Sequence, residues 1–291
     1  MGIPYLNFPG FYNGRLTLQS GTAITTADQL AKTEVYLTPF RGNQFSLYDG
    51  DSWQTVPYNQ VTIPVPATTD LQFDVYAWLY TPTNEVRVET VDWLNDTTRA
   101  VPLGLFNGVV VKGSGVTLDP TRKFIGVCRT TGVMGQTEDS TINRLVRNYA
   151  NYIRRTLHLN IGYVNVDADT VLNVTNTGWA EVPNSAIRYL TNNENPVDVT
   201  LNYTAEAPSG ESMQIGVRDN GATSPAIACL TDKKVLQAGS LRYSVQKAPG
   251  TYTVSAMARV SGGTGKLYAG FPFNGGSFSP PGLVLQGAIF G

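Results

Sequence analysis

Histidine is almost absent: His158 is the single imidazole in 291 residues. A histidine-based metal site would need a ligand from another chain, and any Ser-His-Asp triad would have to use this one ring. Cysteine is scarce as well. Cys128 and Cys229 stand about 100 residues apart with no CxxC spacing, so they form neither a disulfide framework nor a zinc signature and read as buried, reduced packing residues. Charge is sparse, at 15% of residues against roughly 25% in ordinary soluble domains. The 21 Lys and Arg nearly balance 22 Asp and Glu, for a net charge of −1, which excludes a nucleic-acid binder acting through an overall positive field. No apolar run approaches the roughly 20 residues of a membrane span. The first ten residues have no basic n-region and no apolar stretch of signal-peptide length, and Leu6 stands where a myristoylation motif needs Ser or Thr. These absences predict a protein made in a cytoplasm, without membrane insertion.

Glycine (29), proline (17) and tyrosine (15) are plentiful, and aromatics reach 10%. A chain short of charge and rich in these residues builds many short strands and tight turns, not a helical bundle. Residues 1–14 form an N-terminal arm in which Tyr5, Phe8, Phe11 and Tyr12 are broken up by Pro4, Pro9 and Gly10. Prolines this dense prevent both helix and central strand. The arm must therefore lie on its own domain or on a neighbouring subunit.

Alternating strand segments follow at Arg15–Gln19, Glu34–Thr38, Gln44–Tyr48, Gln60–Val65, Gln72–Leu79, Asn84–Val91, Val109–Lys112 and Lys123–Arg129, with Asp49-Gly50 and Asn107-Gly108 as hairpin dipeptides. Together they predict a β meander or barrel-like domain over residues 15–158. A helix is expected to end it, at about 138–157. Thr137 would cap that helix, Glu138 and Asp139 would lie in its first turn, and Arg154 and Arg155 in its last. Ile142, Leu145, Tyr149 and Tyr152, spaced 3-4-3, would form a stripe packing on the sheet or along a symmetry axis. Residues 159–291 carry further strand signals at turn spacings of roughly 8–12 residues, the pattern of a jelly-roll-like antiparallel β-sandwich. The apolar tail, with Leu285, Ile289 and Phe290, needs cover. It reads as a last strand of the sandwich or as a contact between subunits.

Candidate chemistry is thin. Asp92 and Asp96 flank Trp93, an acid-plus-aromatic arrangement found in glycosidase sites and in ordinary turns. Glu138 and Asp139 are explained by the expected helix start. Gly113-Ser-Gly115 and Gly262-Gly-Thr-Gly265 lack the strand–loop–helix setting of a phosphate cradle. No catalytic, metal or cofactor site is predicted. Trp53, Trp93 and Trp179 are candidates for stacking on sugar rings.

The stretch Tyr36-Leu-Thr-Pro-Phe-Arg-Gly-Asn-Gln-Phe-Ser-Leu-Tyr-Asp-Gly-Asp-Ser-Trp53 resembles a recurrent segment of tailed-bacteriophage virion proteins. Phe73-Asp-Val-Tyr-Ala77, Trp93-Leu-Asn-Asp-Thr-Thr-Arg-Ala100, Asn107-Gly-Val-Val-Val-Lys112, Cys128-Arg-Thr-Thr-Gly132 and Gln136-Thr-Glu-Asp-Ser140 continue the resemblance in the same order, followed by Asn148-Tyr-Ala-Asn-Tyr-Ile-Arg-Arg155. It covers about residues 15–158. The resemblance implies a non-enzymatic protein of the particle exterior, located in the virion and assembled in the bacterial host cytoplasm. Exterior proteins of this kind are commonly trimers. The expected partners are therefore the chain itself, as a homotrimer, and other capsid or tail proteins. Candidate contact residues are Tyr5, Phe8, Phe11, Tyr12, Ile142, Leu145, Tyr149, Tyr152, Leu285, Ile289 and Phe290. A capsid decoration or cement role is favoured. A tail fibre that binds host-surface glycans is the alternative, and a carbohydrate-binding or polysaccharide-degrading protein the next.

Overall fold

The computed structural model describes residues 10–161, 171–191, 196–232, 236–268 and 283–290. Among them no α-helix occurs; one 3-10 turn spans Gly115–Thr117. The strands of the first half are β1 (Gly14–Thr17), β2 (Gln29–Lys32), β3 (Glu34–Pro39), β4 (Gln44–Tyr48), β5 (Trp53–Pro57), β6 (Val61–Pro64), β7 (Gln72–Tyr80), β8 (Glu85–Asp92), β9 (Leu103–Phe106), β10 (Val109–Lys112), β11 (Asp119–Arg129), β12 (Thr137–Asp139), β13 (Asn143–Arg144) and β14 (Val146–Asn148). Those of the second half are β15 (Arg154–Asn160), β16 (Val171–Val174), β17 (Ala180–Glu181), β18 (Ile187–Thr191), β19 (Val197–Glu206), β20 (Ser212–Asp219), β21 (Ile227–Asp232), β22 (Leu236–Val245), β23 (Gly250–Val260), β24 (Gly265–Tyr268) and β25 (Val284–Phe290).

The fold is all-β and almost wholly antiparallel. In the first half, β1-β3-β6, β4-β5 and β8-β7-β11-β10-β9 (with β14 on β11) form three sheets. They enclose one core, including Leu37, Phe45, Leu47, Phe73, Val75 and Ile125, all fully buried. The hairpin signals act as their chemistry dictates. Asn107 and Gly108 both take positive φ, closing the two-residue turn between Phe106 and Val109.

In the second half, β2-β12-β13-β18-β23-β20-β21 faces β15-β25-β19-β24-β16. Alternation along each strand sends Val199, Leu201 and Ala205 of β19, Ile215 and Val217 of β20, and Val254 and Ala256 of β23 into a shared core. Each fully buried Val, Leu or Ile side chain contributes about 1.5–3 kcal/mol, and this sandwich interior holds the larger of the two cores.

The halves are stitched together. Strands β2, β12 and β13 come from the first half of the chain yet extend the sheet of the second, and β13 joins it by a parallel pairing with β18. Trp93, Val127 and Leu190 form a small cluster at the junction.

The expected helix at 138–157 is corrected: this segment is β12, β13, β14 and the start of β15. The 3-4-3 spacing was coincidental, because Leu145 is buried while Ile142 and Tyr152 are exposed. Ser140, Thr141, Asn143, Asn148 and Asn151 all compete with helical hydrogen bonding. Asn151 settles the matter by adopting φ +55°. Arg144, Arg147 and Asn148, which a surface helix would leave in water, are buried here and bonded to distant backbone.

Candidate attachment surface

Two clusters of polar side chains organise the junction and the end of the molecule where the first and last described segments meet. At the junction lie residues from several of the segments that carried the resemblance. Asp74 on β7 is buried and accepts a hydrogen bond from Arg99 Nε at 2.9 Å and one from the Tyr76 hydroxyl at 3.2 Å. The Arg99 guanidinium lies 4.3 Å from the Trp93 ring centroid. Burial holds the Asp74 carboxyl above the ordinary range, with the Arg99 charge pulling the other way. Next to it, the buried Arg129 pairs with Asp96 and with Asp70 at 3.4 Å, and Asp70 also meets Arg188 of β18 at 3.2 Å. The Asp96 carbonyl accepts from Thr251 N at 3.3 Å. Asp96, singled out in the sequence as a possible acid of a sugar-cleaving pair, is thus engaged in joining the two halves.

The second cluster lies where β15 begins. Asp139 accepts from Arg144 at 3.1 Å and from Arg155 at 2.5 Å. Arg155 reaches the Thr25 carbonyl at 3.2 Å. Arg15 donates to the carbonyls of Ala23 and Asn151, and burial lowers its guanidinium to about 10. Asn151 Nδ2 in turn donates to the Tyr12 and Gly14 carbonyls at 2.9 and 3.1 Å. Lys123 Nζ clamps the root of the arm from beneath, donating to the Phe11 and Ser46 carbonyls at 3.2 and 3.1 Å while facing the Tyr12 and Phe45 rings.

These bonds tie residues 11–15, 23–25, 139–144 and 149–155 into one region. Phe11, Ile24 and Tyr152 are each more than 40% exposed on these segments, and Ile142 is exposed on the 139–144 segment. An open depression of about 600 Å³ is lined by Tyr149, Ala150, Asn151 and Tyr152. The last described strand ends at the same place, since Phe290 pairs with Arg154 in the β15–β25 ladder.

Several predicted contact residues are therefore corrected to core. Tyr12 is 6% exposed, its ring tilted against that of Phe45 with centroids 4.8 Å apart; Leu145, Leu285 and Ile289 are buried within the chain. The tail is a strand of the sandwich. Tyr5 and Phe8 lie outside the described residues, as does the Phe290 side chain. Phe11, Ile142 and Tyr152 remain exposed, Tyr149 is half-buried, and Ile24 is an exposed neighbour that the sequence reading missed. Nothing in the Thr22–Thr25 sequence marks Ile24, which owes its position to Arg15 and Arg155 holding the flanking carbonyls.

The tryptophan candidates divide. Trp53 packs with Tyr48 and Phe106, and Trp93 sits in the junction, so neither ring offers a free face to a sugar. Trp179 is half-exposed. Of the two cysteines, Cys128 is a buried free thiol, while the Cys229 side chain is outside the described residues. Among the described residues no group of three His, Cys, Asp or Glu is placed to hold a metal, and no helix is long and apolar enough to cross a membrane.

No protein-family model matches the chain, and no curated protein matches it. Among solved structures, it overlaps the insecticidal delta-endotoxin Cry8Ea1 from Bacillus thuringiensis with a TM-score of 0.28 and 10% identity, over 96% of this chain and 53% of the toxin. The VP2 subviral particle of infectious bursal disease virus gives a TM-score of 0.30 and 8% identity, over 90% of this chain and 65% of VP2. The structure of the Gx strain of that virus gives 0.24 and 8%, over 97% and 78%. The chain spans about half the length of the toxin and about two thirds that of the VP2 chain. Overlaps this weak assign no activity.

Proposed function

We propose that this chain is a non-enzymatic structural protein of the bacteriophage particle exterior, a trimeric capsid decoration or cement protein. It would sit on the shell through the face bearing Phe11, Ile24, Ile142 and Tyr152, with its sandwich projecting outward. The observation that carries this reading is that these exposed apolar side chains stand on segments that a buried, ion-paired frame ties together. Exposed apolar residues on a rigid support are what a protein–protein contact needs. The bacteriophage part rests on the ordered motif resemblance over residues 15–158. Two of the four acids weighed for catalysis, Asp96 and Asp139, are committed to arginines, which fits a structural role.

Antibody labelling of intact particles tests the placement. Label over the head is expected; label confined to the tail would overturn the decoration role. A second reading, a receptor-binding tail protein that contacts host-surface glycans, is favoured by Trp179, whose indole stands half-exposed at a polar cleft of the sandwich. Label at the tail tip would select it.

A further inference from the structure

The outer face of the sandwich carries a cleft of about 230 Å³ lined by Thr177, Ser212, Gln214, Arg259, Val260 and Ser261. Three strands build it. Gln214 on β20 lies directly opposite Arg259 on β23, and the β17–β23 register (Ala180 opposite Ala258) places Trp179 beside Arg259 on the other side. The result is a row, Trp179–Arg259–Gln214, running across the sheet. Below it, Ile215, Ala258 and Val260 point into the core and fix the backbone that carries the row.

Arg259 is held on two sides. Its Nε donates to Gln214 Oε1 at 2.5 Å, and its guanidinium carbon lies over the Trp179 ring, 4.9 Å from the centroid. One indole face is thus already occupied, which argues against Trp179 as a stacking platform on that side. It acts instead as a wall that orients the guanidinium. Nη1 and Nη2 have no hydrogen-bond or ion-pair partner among the described residues. Three other cations of this lobe, by contrast, find acids: Arg218 pairs with Glu181, Arg242 with Asp198, and Lys247 with Asp219.

A guanidinium fork fixed by one hydrogen bond and one ring face, with its two terminal nitrogens open, matches a carboxylate bidentately. The Thr177 and Ser212 hydroxyls lining the same cleft suit sugar hydroxyls, which both donate and accept. Ser261 Oγ, by contrast, is already used, donating to Glu211 Oε2 at 2.5 Å and accepting from Ser212 N at 2.8 Å. The geometry points to a binding site for a carboxylate-bearing saccharide, such as a uronic-acid unit of an acidic polysaccharide, with Arg259 gripping the carboxylate and the cleft hydroxyls contacting the ring. The site belongs to the sandwich itself and does not depend on where the protein sits in the particle.

Titration calorimetry of the full chain tests it with two probes, hexagalacturonate and the neutral hexamer maltohexaose. Hexagalacturonate is expected to bind at least about tenfold tighter than maltohexaose, and less tightly as salt rises. Arg259→Gln should weaken the uronate at least about tenfold, since a charge-assisted bidentate contact is lost. Arg259→Lys should restore only part of this loss. Thr177→Trp, at an exposed position away from the core, should fill the cleft and give the same loss with Arg259, Gln214 and Trp179 all retained. Circular dichroism melts of each variant confirm folding. The proposal fails if hexagalacturonate does not bind, if maltohexaose binds equally well, or if Arg259→Gln and Thr177→Trp, both folded, bind as the parent does.

Discussion

Asn148 pairs with Leu16 as a strand would, through its side chain. The Leu16 N–H donates to Oδ1 at 2.6 Å and Nδ2 donates to the Leu16 carbonyl at 3.2 Å, both inside the protein. The amide thereby continues the edge of β1 across to β14, in a segment whose sequence spacing suggested a helix.

Asn148→Ala would leave a buried donor and a buried acceptor of Leu16 unpaired, at a cost of about 2–4 kcal/mol. Asn148→Asp keeps the acceptor but loses the donor, and brings a buried charge at neutral pH. Urea unfolding should show both variants destabilised. Stability equal to the parent in Asn148→Ala would show that water replaces the amide there.

Arg129 holds the junction through Asp96 and Asp70, and its own side chain is only 5% exposed while both acids are about half-exposed. In Arg129→Met the acids return to water, so the loss stays near 2 kcal/mol, below the cost of stranding a buried charge. The same change loosens Asp70 and Arg188. Unfolding followed by tryptophan fluorescence, which includes Trp93 at the junction, should therefore shift to lower urea.

Lys123 gives a pH dependence with a definite sign. Burial lowers its ammonium from the ordinary 10.5 to about 7. Between about pH 7 and 10.5 the unfolded chain holds this proton and the native chain sheds it. Stability therefore rises with pH across that window and is lost as pH falls back toward 7. Buried tyrosines such as Tyr12, Tyr58 and Tyr76, whose hydroxyls burial raises well above the ordinary value, act in the opposite sense near and above pH 10. The parent should thus gain on the order of 1–2 kcal/mol between pH 7 and 9. Lys123→Met should remove this gain. Parallel urea curves at the two pH values, with the same midpoint change in parent and variant, would contradict it.

The proposed attachment face makes a prediction in which stability and assembly separate. Phe11 and Tyr152 are exposed, so Phe11→Ser combined with Tyr152→Ser should change unfolding free energy by less than about 1 kcal/mol. If the proposed trimer forms through this face, sedimentation velocity should nevertheless show it weakened, and particles reconstituted with the variant should carry less of it. A variant that assembles and attaches as the parent does would remove this face from the proposed contact.

Much of the architecture could be read in advance where one physical signal dominated. Phe73, Val75, Ala77 and Leu79 alternate with Asp74, Tyr76 and Trp78 and form β7 as expected; Asn107-Gly108 turns as its left-handed propensity requires. Reading failed where long-range bonds override local pattern. Arg144, Arg147 and Asn148 look like the polar face of a helix until Asp139, Leu190 and Leu16 are known to be their partners. Strands β2 and β12 are short, polar and irregular, and owe their pairing to each other across about a hundred residues. The Arg259 cleft was invisible for the same reason. Trp179, Gln214 and Arg259 are separated by 35 and 45 positions, and only the register of β17, β23 and β20 makes them neighbours.

The ladder between β15 and β25 joins Leu157 to Gly287 and runs for seven residue pairs. While the chain is being synthesised, β15 emerges with its hydrogen-bonding edge unfilled and must wait for roughly 130 further residues before its partner exists. The first core can condense meanwhile, because the strands enclosing it all precede β15. The sandwich cannot. Folding should thus proceed in two kinetic phases, with the slow one set by closure of this long loop. Chains released early would present β15 as a bare strand edge, the feature most prone to pair with another copy.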